Sequence, residues 1–165
     1  MKTLFIGGIK SGKSRLAEAH ILSNAVGSKP YYLATTEFID AEMQARIHVH
    51  QQRRQEQFIT LEAPIQLLAT LQTCTQPVLI ECVSMWLNNM LYHQIPEPDI
   101  LQEFAAVLQL NLDMVFVHNE VGAGIIPANP LARQFIDLSG KAAQMMGTAC
   151  DQVYFCSAGL ALRMK

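Results

Sequence analysis

A glycine-rich segment near the start of the sequence, residues 7–14, has the composition of a phosphate-binding loop. It reads GGIKSGKS and fits the pattern G-x-x-x-x-G-K-[ST] at every position. Glycines let backbone N–H groups converge on phosphate oxygens where a side chain would collide. Lys13 adds a positive charge for the outer phosphates, and the Ser14 hydroxyl suits a Mg²⁺ ion. The segment predicts a nucleoside triphosphate site made of Gly7, Gly8, Ile9, Lys10, Ser11, Gly12, Lys13 and Ser14.

The two segments that flank this loop have the patterns that a phosphate-binding loop requires. Residues 3–6 are a short apolar run typical of a buried strand, and residues 15–22 carry apolar side chains at helical spacing. A chance match in a turn that merely caps a helix is the alternative. The strand, loop and helix in this order favour the phosphate site over that alternative.

A histidine in a basic segment is the second candidate for chemistry. Residues 40–57 contain no Gly or Pro and predict a helix, on which Arg46, His50 and Arg54 recur every fourth residue. Cations nearby disfavour the imidazolium form, so His50 is expected to be neutral and nucleophilic near pH 7. The arginines could hold phosphates while an imidazole nitrogen attacks one of them. A solvated basic face explains the same pattern, and more simply, so both interpretations stay open.

Polar residues also follow several of the predicted strands. Glu81 ends an apolar run, where P-loop proteins place a carboxylate that organises magnesium, although aspartate is more usual there. A glutamate paired with a lysine at a strand end is the alternative. Thr35 leaves the carboxyl end of another predicted strand, the edge where open α/β sheets bind their ligands. The stretch from Asn119 to Gly122 follows a third strand, and either close approach to a ligand or a structural loop explains it.

The elements that must position these residues alternate along the chain. Predicted strands cover residues 3–6, 31–35, 58–61, 77–80, 112–117 and 152–156. Predicted helices cover residues 15–22, 40–57, 64–71, 84–92, 99–110 and 130–147, the last with Gly140 as a weak point, and residues 158–162 lead into a basic tail. Alternation predicts an α/β fold whose mostly parallel sheet has helices on both faces. Residues 1–165 are expected to form a single domain.

Composition limits the function classes that need to be considered. Half of the residues are apolar, 16% are charged and the net charge is −2, so no global field attracts nucleic acid. Apolar runs are too short to span a bilayer and no secretory leader precedes the first strand, which predicts a cytoplasmic protein. The four cysteines show no C-x-x-C spacing, and buried free thiols are expected at Cys82 and Cys156.

Taken together, these motifs resemble one family, the bifunctional adenosylcobinamide kinase/adenosylcobinamide-phosphate guanylyltransferases of cobalamin biosynthesis. The resemblance extends over nearly the whole chain, and the Arg-Ile-x-x-His segment ending at His50 together with Asn-Glu-Val-Gly at 119–122 makes it specific. The matching positions are residues 7–15, 17–18, 34–35, 40–43, 46–47, 50, 62, 81–82, 119–122, 124–127, 129, 131–133, 135, 137, 140 and 159. The chain departs from the family pattern at His118, where Ser or Thr is usual.

The resemblance implies a single-domain P-loop NTPase fold of the RecA-like type and two activities. One transfers GMP from GTP to His50 and then to adenosylcobinamide phosphate, giving adenosylcobinamide-GDP and pyrophosphate. The other phosphorylates adenosylcobinamide with ATP or GTP. Lys13 is implied as a catalytic residue, Ser14 and Glu81 as Mg²⁺ ligands, and a homotrimer as the assembly. Further nucleotide contacts are implied at Thr35, Thr36, Gln51, Gln52, Arg53, Arg54, Glu62 and Glu81.

Two other functions remain open from the residues themselves. One is a P-loop kinase of another small alcohol, in which His50 is structural and no covalent intermediate forms. The other is a non-catalytic GTP-binding protein. Retention of GMP on the protein separates the family reaction from both.

Overall fold

The computed structural model describes residues 1–25, 27–37 and 56–165. Residues 38–55, which include His50 and Gln51, Gln52, Arg53 and Arg54, lie outside the described residues, so the predicted helix over 40–57 stays a prediction. The described elements are β1 Lys2–Gly7, α1 Lys13–Asn24, β2 Tyr31–Ala34, β3 Ile59–Glu62, α2 Leu67–Gln72, β4 Val78–Glu81, α3 Val83–Tyr92, α4 Glu97–Gln109, β5 Met114–Asn119, α5 Pro130–Ala149, β6 Gln152–Ser157 and β7 Leu160–Arg163.

The strands form one seven-stranded sheet in the order β3-β2-β4-β5-β1-β6-β7. Every pairing from β3 to β6 is parallel, and only β7 pairs antiparallel, with β6. The first strand of the sequence is thus central, between β5 and β6. The predicted α/β class with a mostly parallel sheet is confirmed.

Helices cover both faces of this sheet, as the continuous apolar strands require. Successive residues of a strand point to opposite faces, and Leu4 and Phe5 of β1 accordingly belong to two different apolar clusters. The Leu4 cluster contains side chains from α2, α3, α4 and α5. The Phe5 cluster contains Ala17 and Ile21 of α1. Both faces of β1 are therefore dry, and its carboxyl end is held rigidly beneath the glycine-rich loop.

Trp86 of α3 is the largest fully buried side chain and links three elements. Its ring lies 5.7 Å from that of Phe104 in α4, which in turn lies 6.3 Å from that of Phe116 in β5. The indole Nε1 donates a hydrogen bond of 2.8 Å to the carbonyl oxygen of Ile65, in the segment after β3. A buried indole N–H needs such an acceptor. Trp86 thus fixes α3 against both the core and the carboxyl edge of the sheet.

Several predicted boundaries differ from the observed ones by one to three residues, and two of these differences have a visible cause. The strand predicted over 112–117 begins at Met114 and ends at Asn119, because the Asp113 carboxylate pairs with the α-amino group of Met1 at the strand's start. The helix predicted from Pro64 begins only at Leu67. The carbonyl groups of Pro64 and Ile65 instead accept hydrogen bonds from α3 side chains.

The helix predicted over 130–147 is confirmed as α5, which runs unbroken through the exposed Gly140. The prediction for residues 158–162 was wrong. Residues 160–163 form β7 rather than a tail, joined to β6 by a two-residue turn. Ala158 and Gly159 have φ of 51° and 78°. A type I′ hairpin turn requires positive φ at both of its central residues. The Ala158-Gly159 pair was therefore the signal in the sequence from which this turn could have been predicted.

The four cysteines are free thiols, and Cys156 is buried as predicted. Cys82 is half-buried rather than buried. Among the helices of the described residues, none is both long and apolar enough to cross a bilayer.

Replacing Trp86 with Phe should test the link that α3 makes to the segment after β3. The variant keeps an aromatic ring in the core but loses the N–H donor to Ile65, and we expect a loss of about 2 kcal/mol in the free energy of unfolding. Urea denaturation followed by circular dichroism measures it. The exposed Gln102→Ala change in α4 is the control, and equal midpoints for the two variants would contradict the assignment.

Candidate active site

The glycine-rich loop connects the carboxyl end of β1 to the start of α1. Lys10 and Gly12 have positive φ of 58° and 92°, which bends the backbone sharply before the helix. The helix has no side-chain cap hydrogen bond at its N-terminus and no acidic residue in its first turn. The positive end of the helix dipole is therefore left for an external anion, as a phosphate-binding loop requires.

Lys13 and Ser14 begin the helix and make the polar contacts of the loop. Lys13 is buried, and its ammonium group donates a 3.1 Å hydrogen bond to the carbonyl oxygen of Gly8. The Ser14 hydroxyl donates a 2.7 Å hydrogen bond to Oε1 of Glu81 at the end of β4. The two residues predicted as metal ligands are thus brought together. Their hydroxyl and carboxylate oxygens are hard ligands of the kind that Mg²⁺ prefers, so the donor set fits that ion.

Thr35 lies beside Glu81 but is occupied by backbone contacts. It is buried, its amide N–H donates to the Glu81 carbonyl at 3.0 Å, and its hydroxyl accepts from the Cys82 amide at 2.9 Å. The same hydroxyl lies 2.9 Å from the Cys82 carbonyl oxygen, to which it donates. Thr35 therefore joins the carboxyl ends of β2 and β4. Thr36, the next residue, is half-buried.

The remaining predicted nucleotide contacts are more dispersed. Ile9 and Lys10 are exposed at the tip of the loop. Glu62 is exposed at the end of β3, and β2 separates its strand from the strand of Glu81. The structure thus gathers Lys13, Ser14, Thr35 and Glu81 and leaves Glu62 at the periphery.

The turn between β6 and β7 supports the glycine-rich loop from behind, a contact that the sequence did not predict. The Gly159 amide donates a 2.9 Å hydrogen bond to the carbonyl oxygen of Ser11. A Cβ atom at Gly12 would lie 2.9 Å from the Cα of Gly159, and one at Gly7 would lie 2.3 Å from the carbonyl oxygen of Cys156. Backbone meets backbone at both points, so packing alone requires glycine at these two positions.

A buried histidine lies at the carboxyl end of β5, next to the loop. His118 Nδ1 is 3.1 Å from the Ser84 hydroxyl and Nε2 is 3.0 Å from the Ser139 hydroxyl, which joins α3 to α5. Ser84 also accepts the Asn119 amide N–H at 2.8 Å. Burial lowers the pKa of His118 to about 4; the charge of Lys13 acts in the same direction, and hydrogen bonding at Ser139 opposes both. His118 is therefore a neutral structural bridge at physiological pH.

The loop after β5 makes mainly local hydrogen bonds. Glu120 Oε1 accepts from the Gly122 amide at 2.6 Å, and the Asn129 side chain caps α5 by accepting from Leu131 and Ala132. Arg133 donates to the carbonyl groups of residues 127 and 128. Residues 119–122 are also held to the glycine-rich loop, because the Glu120 amide donates a 3.0 Å hydrogen bond to the carbonyl oxygen of Gly7.

The parallel sheet, the glycine-rich loop and the Ser14–Glu81 contact define a P-loop NTPase. Solved structures confirm the fold. The flagellar accessory protein FlaH of Methanocaldococcus jannaschii superposes with a TM-score of 0.54 at 11% identity, over 99% of this chain and 77% of that one. The KaiC-like protein PH0186 of Pyrococcus horikoshii gives a TM-score of 0.51 at 10% identity, over 93% and 69% of the two chains.

The sequence matches, over residues 3–164, the model of the cobinamide kinase / cobinamide phosphate guanyltransferase family, and the chain belongs to that family. It is 36% identical to the bifunctional adenosylcobalamin biosynthesis protein CobP of Pseudomonas aeruginosa, over all of this chain and 98% of that protein. It is 34% and 33% identical to the proteins named CobU of Escherichia coli and Salmonella typhimurium, over the full length of each. The predicted family and its enzyme class, a transferase of cobalamin biosynthesis, are confirmed.

Replacing Gly12 with Ala should destabilise the protein even without nucleotide. The new Cβ would meet Gly159 backbone and would force alanine into positive φ, so we expect a loss of about 1–3 kcal/mol in the free energy of unfolding. Thermal unfolding of the free protein measures it. Gly8→Ala is the matched control, because a Cβ there meets nothing within 4 Å. Equal stability of the two variants would contradict the described packing.

The buried His118 should make stability depend on pH. Its pKa lies near 4 in the folded protein, against an ordinary 6.5, so the unfolded chain binds the proton first as the pH falls. Stability should therefore drop as the pH falls from about 6.5 to 4, by on the order of 3 kcal/mol, with no contribution above that window. Urea denaturation across pH 4–8 measures the slope.

His118→Gln should flatten that slope but not remove it, because burial also lowers the pKa of His20. A slope in the variant equal to that of the unaltered protein would contradict the role given to His118.

Proposed function

We propose that this protein transfers GMP from GTP to adenosylcobinamide phosphate through a guanylyl-histidine at His50, and that it also phosphorylates adenosylcobinamide with ATP or GTP. The observation that carries the proposal is the 2.7 Å contact of Ser14 with Glu81 beside the buried Lys13. It places a hydroxyl, a carboxylate and an ammonium group at one uncapped helix start. A site of this kind binds nucleoside triphosphates. Membership of the family indicates adenosylcobinamide phosphate as the molecule that would accept the GMP group.

The P-loop residues would bind the triphosphate rather than react with it. The amide groups of residues 7–14 would surround its oxygens, and Lys13 would exchange its contact with Gly8 for the outer phosphates. Phosphoryl and nucleotidyl transfer need mainly positioning and neutralisation of charge. When bound, a Mg²⁺ ion held by Ser14 and Glu81 would supply further neutralisation of the phosphate charge.

The covalent steps would take place at the α-phosphorus. An imidazole nitrogen of His50 would attack it, an N–P bond would form, and the bond to the β-phosphate oxygen would break as pyrophosphate leaves with the electron pair. A phosphate oxygen of adenosylcobinamide phosphate would then attack the same phosphorus and break the N–P bond. The ring nitrogen regains its lone pair, and adenosylcobinamide-GDP is the product.

Several further assignments belong to the same proposal. Thr36, Gln51, Gln52, Arg53, Arg54 and Glu62 would contact the nucleotide, as the family resemblance implies. Thr35 would act mainly by holding the backbone at the end of β4. Its hydroxyl group is already hydrogen-bonded to the amide and carbonyl groups of Cys82. Residues 1–165 would form one domain, three copies would assemble as a homotrimer, and the protein would act in the cytoplasm.

Incubating the protein with Mg²⁺ and α-labelled GTP tests the covalent step. The unaltered protein should retain label after denaturation and lose it in acid, because a phosphoramidate is acid-labile. His50→Ala should abolish retention, by at least about 100-fold, while leaving GTP binding within a few-fold, because the nucleophile is removed and the P-loop is intact. Lys13→Ala should lose both label and binding.

His48→Ala is the matched control, since it removes an imidazole two residues away and should retain label. Bound GTP without retained label would refute the covalent mechanism. In that case, phosphorylation of adenosylcobinamide from γ-labelled ATP or GTP would support a kinase alone. Binding without any turnover would support a GTP-binding protein.

A further inference from the structure

One face of α3 is directed at the carboxyl edge of the sheet. Trp86 and Asn89 of α3 and His93, the residue directly after it, recur at spacings of three and four, so they lie on the same side of the helix axis. Each reaches a segment that leaves a parallel strand: Trp86 bonds to Ile65 after β3, and the other two bond to residues after β2. The helix therefore holds the edge on which the candidate active site is built.

Asn89 supplies the buried part of this arrangement. It is fully buried, and its side-chain amide donates to the carbonyl oxygen of Thr35 at 2.7 Å and to that of Pro64 at 3.0 Å. These two carbonyls lie after the neighbouring strands β2 and β3. One amide group thus fixes the spacing of two strand ends. Among the described residues, its loss would leave the buried Thr35 carbonyl and the partly buried Pro64 carbonyl without this donor.

His93 supplies the outer part, immediately after α3. Its Nε2 atom lies 2.7 Å from Oε1 of Glu37, and both side chains are partly exposed. The other carboxylate oxygen of Glu37 is buried, with no hydrogen-bond partner among residues 1–25, 27–37 and 56–165. Within the described residues, the Glu37 carboxylate is therefore held by the His93 imidazole.

Thr36 lies between these two anchored residues. Thr35 is held by Asn89 through its carbonyl and by Glu81 and Cys82 through its amide and hydroxyl. Glu37 is held by His93. The residues on both sides of Thr36 are consequently tied to α3, Thr35 through its carbonyl group and Glu37 through its side chain, which contacts His93 at the end of the helix. In the sequence, the chain continues from Glu37 into the segment that carries His50.

We propose that His93, acting through Glu37, is a positioning residue for guanylyl transfer, and that Asn89 provides its buried counterpart. The inference rests on the proposed function. The contact between His93 and Glu37 would set the direction in which the chain leaves β2 beside Thr36. It would also keep the Glu37 carboxylate bound to imidazole at the edge of an anion site. The triphosphate would be held mainly by the P-loop, which the described contacts of Asn89 and His93 do not reach, so losing the His93–Glu37 contact should lower the rate of transfer more than the affinity for GTP.

The experiment is single-turnover labelling of the protein by α-labelled GTP, combined with equilibrium binding of GTP. His93→Ala should lower the rate constant for formation of the guanylyl-enzyme by roughly tenfold, since small misplacements are costly in transfer reactions, and should leave the GTP dissociation constant within about threefold. His93→Gln, which keeps an N–H donor at this position, should restore most of the rate. The double variant Glu37→Gln/His93→Ala should form the guanylyl-enzyme only a little more slowly than either single variant, because both substitutions remove the same contact.

Asn88→Ala is the matched control, because it removes an exposed polar side chain from the same helix. A His93→Ala rate equal to that of the control would overturn the inference, as would equal losses in rate and affinity or no recovery with His93→Gln. If the unaltered protein itself retains no label, the proposed function fails and the inference falls with it. Label on the unaltered protein with an unaffected His93→Ala variant refutes the inference alone.

Discussion

The hydrogen bond from Ser14 to Glu81 joins two strands that are not neighbours. Ser14 follows β1 and Glu81 ends β4, and β5 lies between those strands in the sheet. The contact therefore exists only if three parallel strands end at the same level. It depends on the dry core on both faces of β1 and on the bridge that His118 forms beneath the end of β5. The site is a property of the edge of the sheet rather than of the loop alone.

The residues of the candidate site were the easiest to find in the sequence, because a phosphate-binding loop restricts their types. The glycines of residues 7–14, Lys13 and Ser14 carry that signal within one short segment, and Glu81 is marked by its position after an apolar run. The order of strands and helices was predicted for the same reason, since apolar periodicity is local. The boundaries near Asp113 and Pro64, where contacts from distant segments decide the outcome, were not predicted, and neither was the final strand β7.

The residues that support the site could not be predicted in this way. Ser84, Asn89 and Ser139 lie on helices whose patterns predict amphipathic packing, and nothing in a helical pattern indicates which polar residue is buried. Their partners, the His118 ring and the carbonyl groups of residues 35 and 64, are distant in sequence. Gly159 is different, because the Ala-Gly turn was visible, but its contact with Gly12 depends on the pairing of β6 with β1. Such contacts require the three-dimensional fold.

The central place of β1 has a consequence for synthesis on the ribosome. β1 is made first, yet its two neighbours are β5 and β6, which end at Asn119 and Ser157. Helix α1 can cover the Phe5 face early, but neither hydrogen-bonding edge of β1 can be paired before β5 and β6 have emerged. Pairings this distant in sequence form slowly and leave apolar strands exposed in the meantime. The nascent strand β1, next to the glycine-rich loop, is therefore left with two unpaired edges until β5 and β6 have been synthesised.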